Sequence, residues 1–181
     1  IGAIYIVRDP RNVITSLKNH FEMNDSDALE FMLNKNKYTY NYHTENDYSD
    51  FQFISSWENN YKSWRNQKYI PVKFIKYEDL NSKTYEVFKD LIKFINVTSK
   101  NPNIFNKNKA QKAIYSSSFD NLKTIESKNG FSESVLSKKR TKKISFFHLG
   151  PKNNWKNIFS EDYQNKLTLK FESNLKELNY I

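Results

Sequence analysis

Apolar positions along this chain switch between unbroken β-branched runs and spacings of three or four residues, and the switches outline its elements. Ala3-Ile-Tyr-Ile-Val7 is a short continuous run, the pattern of a strand covered on both faces. Asp9 then offers a side-chain oxygen to a helix N-terminus, and Pro10 suits the first turn. At helical spacing Val13, Ile14, Leu17 and Phe21 form one apolar sector, while Arg11 and Lys18 share another face. Asp9, Asn12, Ser16 and His20 make a third stripe that is polar but mostly uncharged, with Arg8 at its mouth.

Further along, Ala28, Leu29, Phe31 and Met32 predict a short amphipathic helix, and residues 34–50 read as a loop. Phe51, Ile54, Trp57, Tyr61 and Trp64 recur at helical intervals and predict one helix with an aromatic face turned to the core. Val72 to Tyr77 reads as a second strand after Pro71, and Tyr85, Phe88, Leu91, Ile92 and Ile95 mark the next helix. A helix is expected around residues 109–116, then a mobile loop over residues 128–145 that carries Gly130 and Lys138-Lys-Arg-Thr-Lys-Lys143. Ser160-Glu-Asp opens a last helix with Tyr163, Leu167, Phe171, Leu175 and Leu178 inward. There is no internal repeat. Two buried-type strands need neighbours and helices on both sides, so the pattern predicts the C-terminal, helix-rich portion of an α/β domain, a single partial domain over residues 1–181.

Composition narrows the function classes. A chain of 181 residues suits one domain with a sizeable core, and 0 Cys excludes a disulfide scaffold and a thiolate metal site. No run is long and apolar enough to span a bilayer and no signal-peptide pattern opens the chain, so a soluble, cytoplasmic protein is expected. The net charge of +9, from 29 Lys and Arg against 20 Asp and Glu, attracts anions in general. With aromatic residues at 16% it also admits a basic nucleic-acid binder, but the aromatics sit on core-facing sectors and no nucleic-acid motif accompanies them.

The chemistry starts at the first strand-to-helix junction. Helix N-terminal amides and the helix dipole favour negative charge at the C-terminal edge of an α/β sheet, which makes Arg8 and the Ser16 stripe a candidate anion site. The same residues also fit a plainer reading, with Arg8 neutralising a nearby carboxylate and the stripe an ordinary solvated face. His20, one turn beyond Ser16, fits either the border of an acceptor pocket or a partly buried structural histidine, and nothing singles out His43.

Four segments then resemble one family in the right order. Tyr5-Ile-Val-Arg-Asp-Pro-Arg-Asn-Val-Ile-Thr-Ser16 resembles the 3′-phosphate-binding strand and helix of sulfotransferases that use 3′-phosphoadenosine 5′-phosphosulfate, the soluble and bacterial members especially. Lys76-Tyr-Glu-Asp-Leu80 is similar to the family's strand end whose tyrosine meets the adenine, and Ser117-Ser-Phe-Asp-Asn-Leu122 to its Thr-Ser-Phe segment around the same base. Gly150-Pro-Lys-Asn-Asn-Trp-Lys-Asn-Ile-Phe-Ser160 resembles the family's C-terminal Gly-x-x-Gly-x-Trp-Lys-Asn stretch. Leu175-Lys-Glu-Leu-Asn-Tyr180 looks like a bacterial terminus of that family.

The resemblance implies a P-loop-type three-layer fold with a parallel sheet, and sulfuryl transfer from that donor to a hydroxyl or amine of a small-molecule or carbohydrate acceptor. The product would be 3′,5′-adenosine bisphosphate, and no metal is implied. It gives Arg8 and Ser16 to the 3′-phosphate, Tyr77, Ser117, Ser118 and Phe119 to the adenine side, and His148 and Gly150 to the phosphate side. His148-Leu149-Gly150 stands where the family usually has Arg-Lys-Gly, so either Lys139, Arg140, Lys142 or Lys143 folds over the nucleotide or affinity is low; a solvated basic loop is the plainer reading of that run. The family's phosphosulfate-binding loop, with its lysine, and its histidine general base lie upstream of the matched segments, so no residue here takes a catalytic role by resemblance. A noncatalytic nucleotide- or partner-binding module derived from the fold is the alternative. The family's dimer motif is not matched around Lys156 to Asn165, which leaves the oligomeric state open.

Overall fold

A computed structural model describes residues 1–39, 51–100, 104–137, 139 and 141–181. The elements run β1 (Ala3–Val7), α1 (Pro10–His20), α2 (Asp25–Leu33), β2 (Tyr38–Thr39), β3 (Gln52–Phe53), α3 (Trp57–Asn66), β4 (Val72–Lys76), α4 (Tyr77–Ser82), α5 (Thr84–Ser99), α6 (Lys107–Ser116), α7 (Phe119–Asn129), α8 (Glu161–Lys170) and α9 (Glu172–Glu177). Two 3-10 turns, Gly150–Lys152 and Trp155–Asn157, precede α8.

β1 and β4 pair in parallel, with Ala3 opposite Val72 and Val7 opposite Lys76. The pairing puts Tyr5 beside Phe74, their rings stacked at 5.3 Å, under the α3 side chains of Tyr61 and Trp64. The Tyr5 hydroxyl donates to Asn60 Oδ1 at 2.7 Å. On the opposite face α5 approaches: Lys73 pairs with Asp90, and Gly2 lies against Thr98 and Phe94. The described sheet is thus a middle layer between α3 and α5. Its coverage is uneven. Ile75 is 6% exposed, but Ile4 and Ile6 on the same face are 42% and 49% exposed, because among the described residues no strand pairs with the far edge of β1.

The main core lies beside the sheet rather than on it. Ile14 of α1, Ala28, Leu29 and Met32 of α2, Trp155, Phe159, and Leu167, Phe171 and Leu175 from the C-terminal helices pack together, with Ile14, Leu167 and Leu175 fully buried. This cluster fixes α1 against the Trp155 turn. α1 in turn positions the site.

Several elements depart from the periodicity reading, among them the end of the second strand: Tyr77, read as its last residue, instead opens α4. Phe51 and Ile54 do not extend the aromatic helix, since Gln52–Phe53 pairs antiparallel with Tyr38–Thr39, inside the stretch read as a loop. The helix begins at Trp57 because buried Ser56 caps it, accepting from the Asn59 amide at 3.2 Å. Residues 119–129 form α7, an 11-residue helix with no counterpart in the periodicity reading, and its last two residues fall in the stretch read as a loop over residues 128–145. The last helix is interrupted at Phe171, whose φ of −107° and ψ of 11° end α8 and open α9. No helix among the described residues is long and apolar enough to cross a membrane.

Candidate nucleotide site

Arg8 and Asp9 join β1 to α1, and their neighbours divide the local charge. The Asp9 side chain caps α1 through the Arg11 amide and also takes the Arg11 guanidinium, with Nη2 2.7 Å from Oδ2 in a buried ion pair. Arg11 lies over the Trp155 ring at 4.3 Å. Its charge is spent on the core side. Glu78 Oε1 accepts from the Asp9 amide at 3.1 Å and Oε2 from the Tyr180 hydroxyl at 2.8 Å, so the ends of both parallel strands are tied to the C-terminal residues.

Arg8 is left facing the other way. Its guanidinium stacks over the Tyr77 ring, 4.2 Å from the centroid, and Nη2 donates to the Gly150 carbonyl at 3.1 Å. Among the described residues no carboxylate pairs with Arg8, and its Nε is buried without a hydrogen-bond partner. A buried guanidinium N–H left unsatisfied is costly unless a ligand completes it.

A cavity of about 410 Å³ opens beside this arginine and follows α1. Arg8, Tyr77, Phe119 and Gly150 line one end, Ser16 and Asn153 the middle, and Phe146, Phe147 and His148 the opposite wall, with His20 at the last turn of α1. The structure therefore brings together six of the residues singled out by resemblance: Arg8, Ser16, Tyr77, Phe119, His148 and Gly150. Ser117 and Ser118 do not line the cavity. Ser117 Oγ donates to the Ala113 carbonyl at 2.8 Å, at the end of α6, and Ser118 is the residue preceding α7.

Gly150 is matched to its place by two constraints. Its φ is +53°, and a Cβ there would come within 2.2 Å of the Phe119 ring. The ring rests directly on glycine backbone.

Asn153, to which the sequence reading gave no role, joins α1 to this segment. Its Nδ2 donates to the Asn12 carbonyl at 3.0 Å and reaches Ser16 Oγ at 3.4 Å, while the Thr15 hydroxyl lies 2.7 Å from its Oδ1. Asn12 Oδ1 accepts from the Trp155 amide at 2.9 Å. The polar stripe of α1 is thus largely consumed in holding the Gly150–Trp155 segment. The signal was Asn12 on the stripe together with the Asn153-Asn-Trp155 string.

The histidines and the basic run divide differently. His20 meets Phe21 and Phe146 edge-on, and burial lowers its basicity against an opposing pull from Glu133. His43, Lys138 and Arg140 lie outside the described residues. Lys139, Lys142 and Lys143 are exposed and do not line the cavity; Leu136 and Lys143 form a β-bridge within that loop.

With the junction, the cavity and the parallel pair in view, the family follows. The sulfotransferase domain model matches residues 2–179, and the chain belongs to that family. No curated protein sequence matches it. Its fold is similar to that of mouse sulfotransferase SULT7A1 complexed with PAP, with 21% identity and a TM-score of 0.64, over 96% of this chain and 58% of that one. It is also similar to retinol dehydratase in a complex with retinol and PAP, with 17% identity and a TM-score of 0.58, over 97% of this chain and 48% of that one. The chain spans about half the length of these two proteins.

Proposed function

We propose that this chain carries the 3′-phosphate- and adenine-binding half of a sulfotransferase that moves a sulfuryl group from 3′-phosphoadenosine 5′-phosphosulfate to a hydroxyl or amine of a small-molecule or carbohydrate acceptor. The observation that carries the proposal is Arg8: a half-buried arginine whose buried Nε has no partner and which no carboxylate pairs with among the described residues, at the mouth of a cavity and beside a helix N-terminus. Family membership supplies the reaction class.

The residues present fit such a nucleotide. A phosphate gives the orphaned Nε the acceptor it lacks, in the charge-assisted geometry that a planar guanidinium favours. Ser16 adds a hydroxyl donor from the middle of the cavity, and His148 a ring nitrogen from the facing wall. Gly150 brings Phe119 close to backbone and leaves a flat aromatic surface for a base. Tyr77 is already covered by Arg8 on one face, so its work is to fix the guanidinium plane and to offer its phenol at the base.

When bound, the donor supplies an activated sulfuryl group. The residues of this chain bind and orient it, and orientation together with electrostatic stabilisation is how such transfer is accelerated. No general base is assigned among them.

Isothermal titration with 3′,5′-adenosine bisphosphate tests the proposal. The chain is expected to bind it more tightly than 5′-AMP, and Arg8→Ala to cost at least about tenfold, the scale of a lost charge-assisted contact. A folded chain that binds neither nucleotide, or an Arg8→Ala variant that binds as well as the parent, would overturn it.

A further inference from the structure

The wall facing Arg8 is built on a single carboxylate outside the cavity. α7 presents Phe119 to the site with its first residue and Glu126 two turns later. Glu126 Oε1 accepts from Ser134 Oγ at 2.7 Å and from the Phe146 amide at 2.6 Å. Its Oε2 accepts from Ser145 Oγ at 2.7 Å and from the Phe147 amide at 3.0 Å. Two hydrogen bonds to each oxygen fill the acceptor capacity of a carboxylate. Burial pushes this carboxyl up, but hydrogen bonds from Ser134, Ser145, Phe146 and Phe147 outweigh it and hold the group down at about 2. Those hydrogen bonds keep it ionised at neutral pH.

All four donors lie between residues 134 and 147, and two of them are the backbone amides of wall residues. Phe146 and Phe147 pack on Phe131 at 5.0 and 5.1 Å, and Phe147 meets Phe119 edge-on at 6.0 Å. Three residues beyond Phe147, the Gly150 carbonyl accepts from Arg8. The same helix therefore sets both the Phe119 ring and, through Glu126, the chain that rests against it.

We propose that Glu126 is a positioning residue of the nucleotide site, holding the Phe146–Gly150 wall in register with Phe119 and Arg8 before any ligand arrives. The proposal rests on the nucleotide reading above. A wall already ordered costs less entropy on binding, so the carboxylate acts on affinity without touching the ligand. Glutamine in its place keeps the shape but turns one acceptor into an NH₂ group facing an N–H donor.

The test uses Glu126→Gln, with Ser145→Ala as a milder variant that removes one donor and leaves the carboxylate. Nucleotide affinity is read by titration well below the melting temperature, and local order by exchange of the Phe146 and Phe147 amides. Expected for Glu126→Gln are faster exchange at both amides, a melting temperature lower by roughly 2–4 °C, and 3′,5′-adenosine bisphosphate binding about tenfold weaker. Ser145→Ala is expected to weaken binding by about threefold or less. In a cycle with Phe147→Leu, coupling through the wall makes the double variant weaker by clearly less than the product of the two single effects. Unchanged affinity in Glu126→Gln with both amides loosened overturns the proposal, as does an additive cycle. If the parent chain itself binds no bisphosphate, the nucleotide reading fails first and the proposal falls with it, a result distinct from a parent that binds and a variant that binds equally.

Discussion

Gly150 meets two demands at once. A side chain there suffers the left-handed backbone at φ +53° and also drives a Cβ to 2.2 Å from the Phe119 ring. The first costs about 1–2 kcal/mol and the second adds roughly 1–3 kcal/mol of overpacking, so Gly150→Ala is expected to lose about 2–5 kcal/mol in denaturant unfolding. Nucleotide binding should fall further than stability, because the alanine displaces Phe119 and the carbonyl that receives Arg8 together. An alanine variant with parental midpoint and affinity would mean that the Phe119 ring moves aside at no cost. At this scale the sequence was partly legible. Arg8, Tyr77 and Gly150 belong to segments that the sequence singles out, and the fold brings them to one cavity. Asn153 and Glu126 do not, since a single Asn or Glu carries no periodic signal and its partners lie far along the chain.

Elements were legible where a local rule stood alone. β1, α1 and β4 follow from β-branched runs, an Asp-Pro start and an apolar sector, and all three position the site. α7 was missed because its apolar face is thin, and much of what holds it is polar, through Glu126 and the 131–147 segment. That polar tether makes α7 and its loop pH-sensitive in one direction. The Glu126 carboxyl lies at about 2 in the folded chain against an ordinary value of 4.5, so its stabilising contribution is complete above 4.5 and is lost as pH falls towards 2. The stability gap between the parent and Glu126→Gln is therefore expected to be constant from pH 7 to 5 and to narrow progressively below pH 4.5. Paired urea titrations at several pH values measure it. A gap that widened on acidification would reverse the sign and remove the carboxylate from the account.

Across the whole molecule, the charge of +9 and the arginine at the site are different kinds of signal. The excess is mostly lysine spread over the surface, where salt shortens its reach to about 8 Å at physiological ionic strength. Arg8 is partly buried and stacked, and screening touches it far less. The basic run is a candidate substitute for the family's Arg-Lys at His148-Leu149, but Lys139, Lys142 and Lys143 are exposed and do not line the cavity. Their effect on a bisphosphate should be a diffuse field. Neutralising all three to alanine is expected to weaken binding several-fold at about 0.01 M salt and less than about twofold at 0.15 M, whereas the Arg8→Ala loss persists at both. Titrations of the two variants at the two salt concentrations measure the difference. A triple variant as impaired as Arg8→Ala at 0.15 M would make the loop a second phosphate clamp, folding onto the nucleotide once it binds.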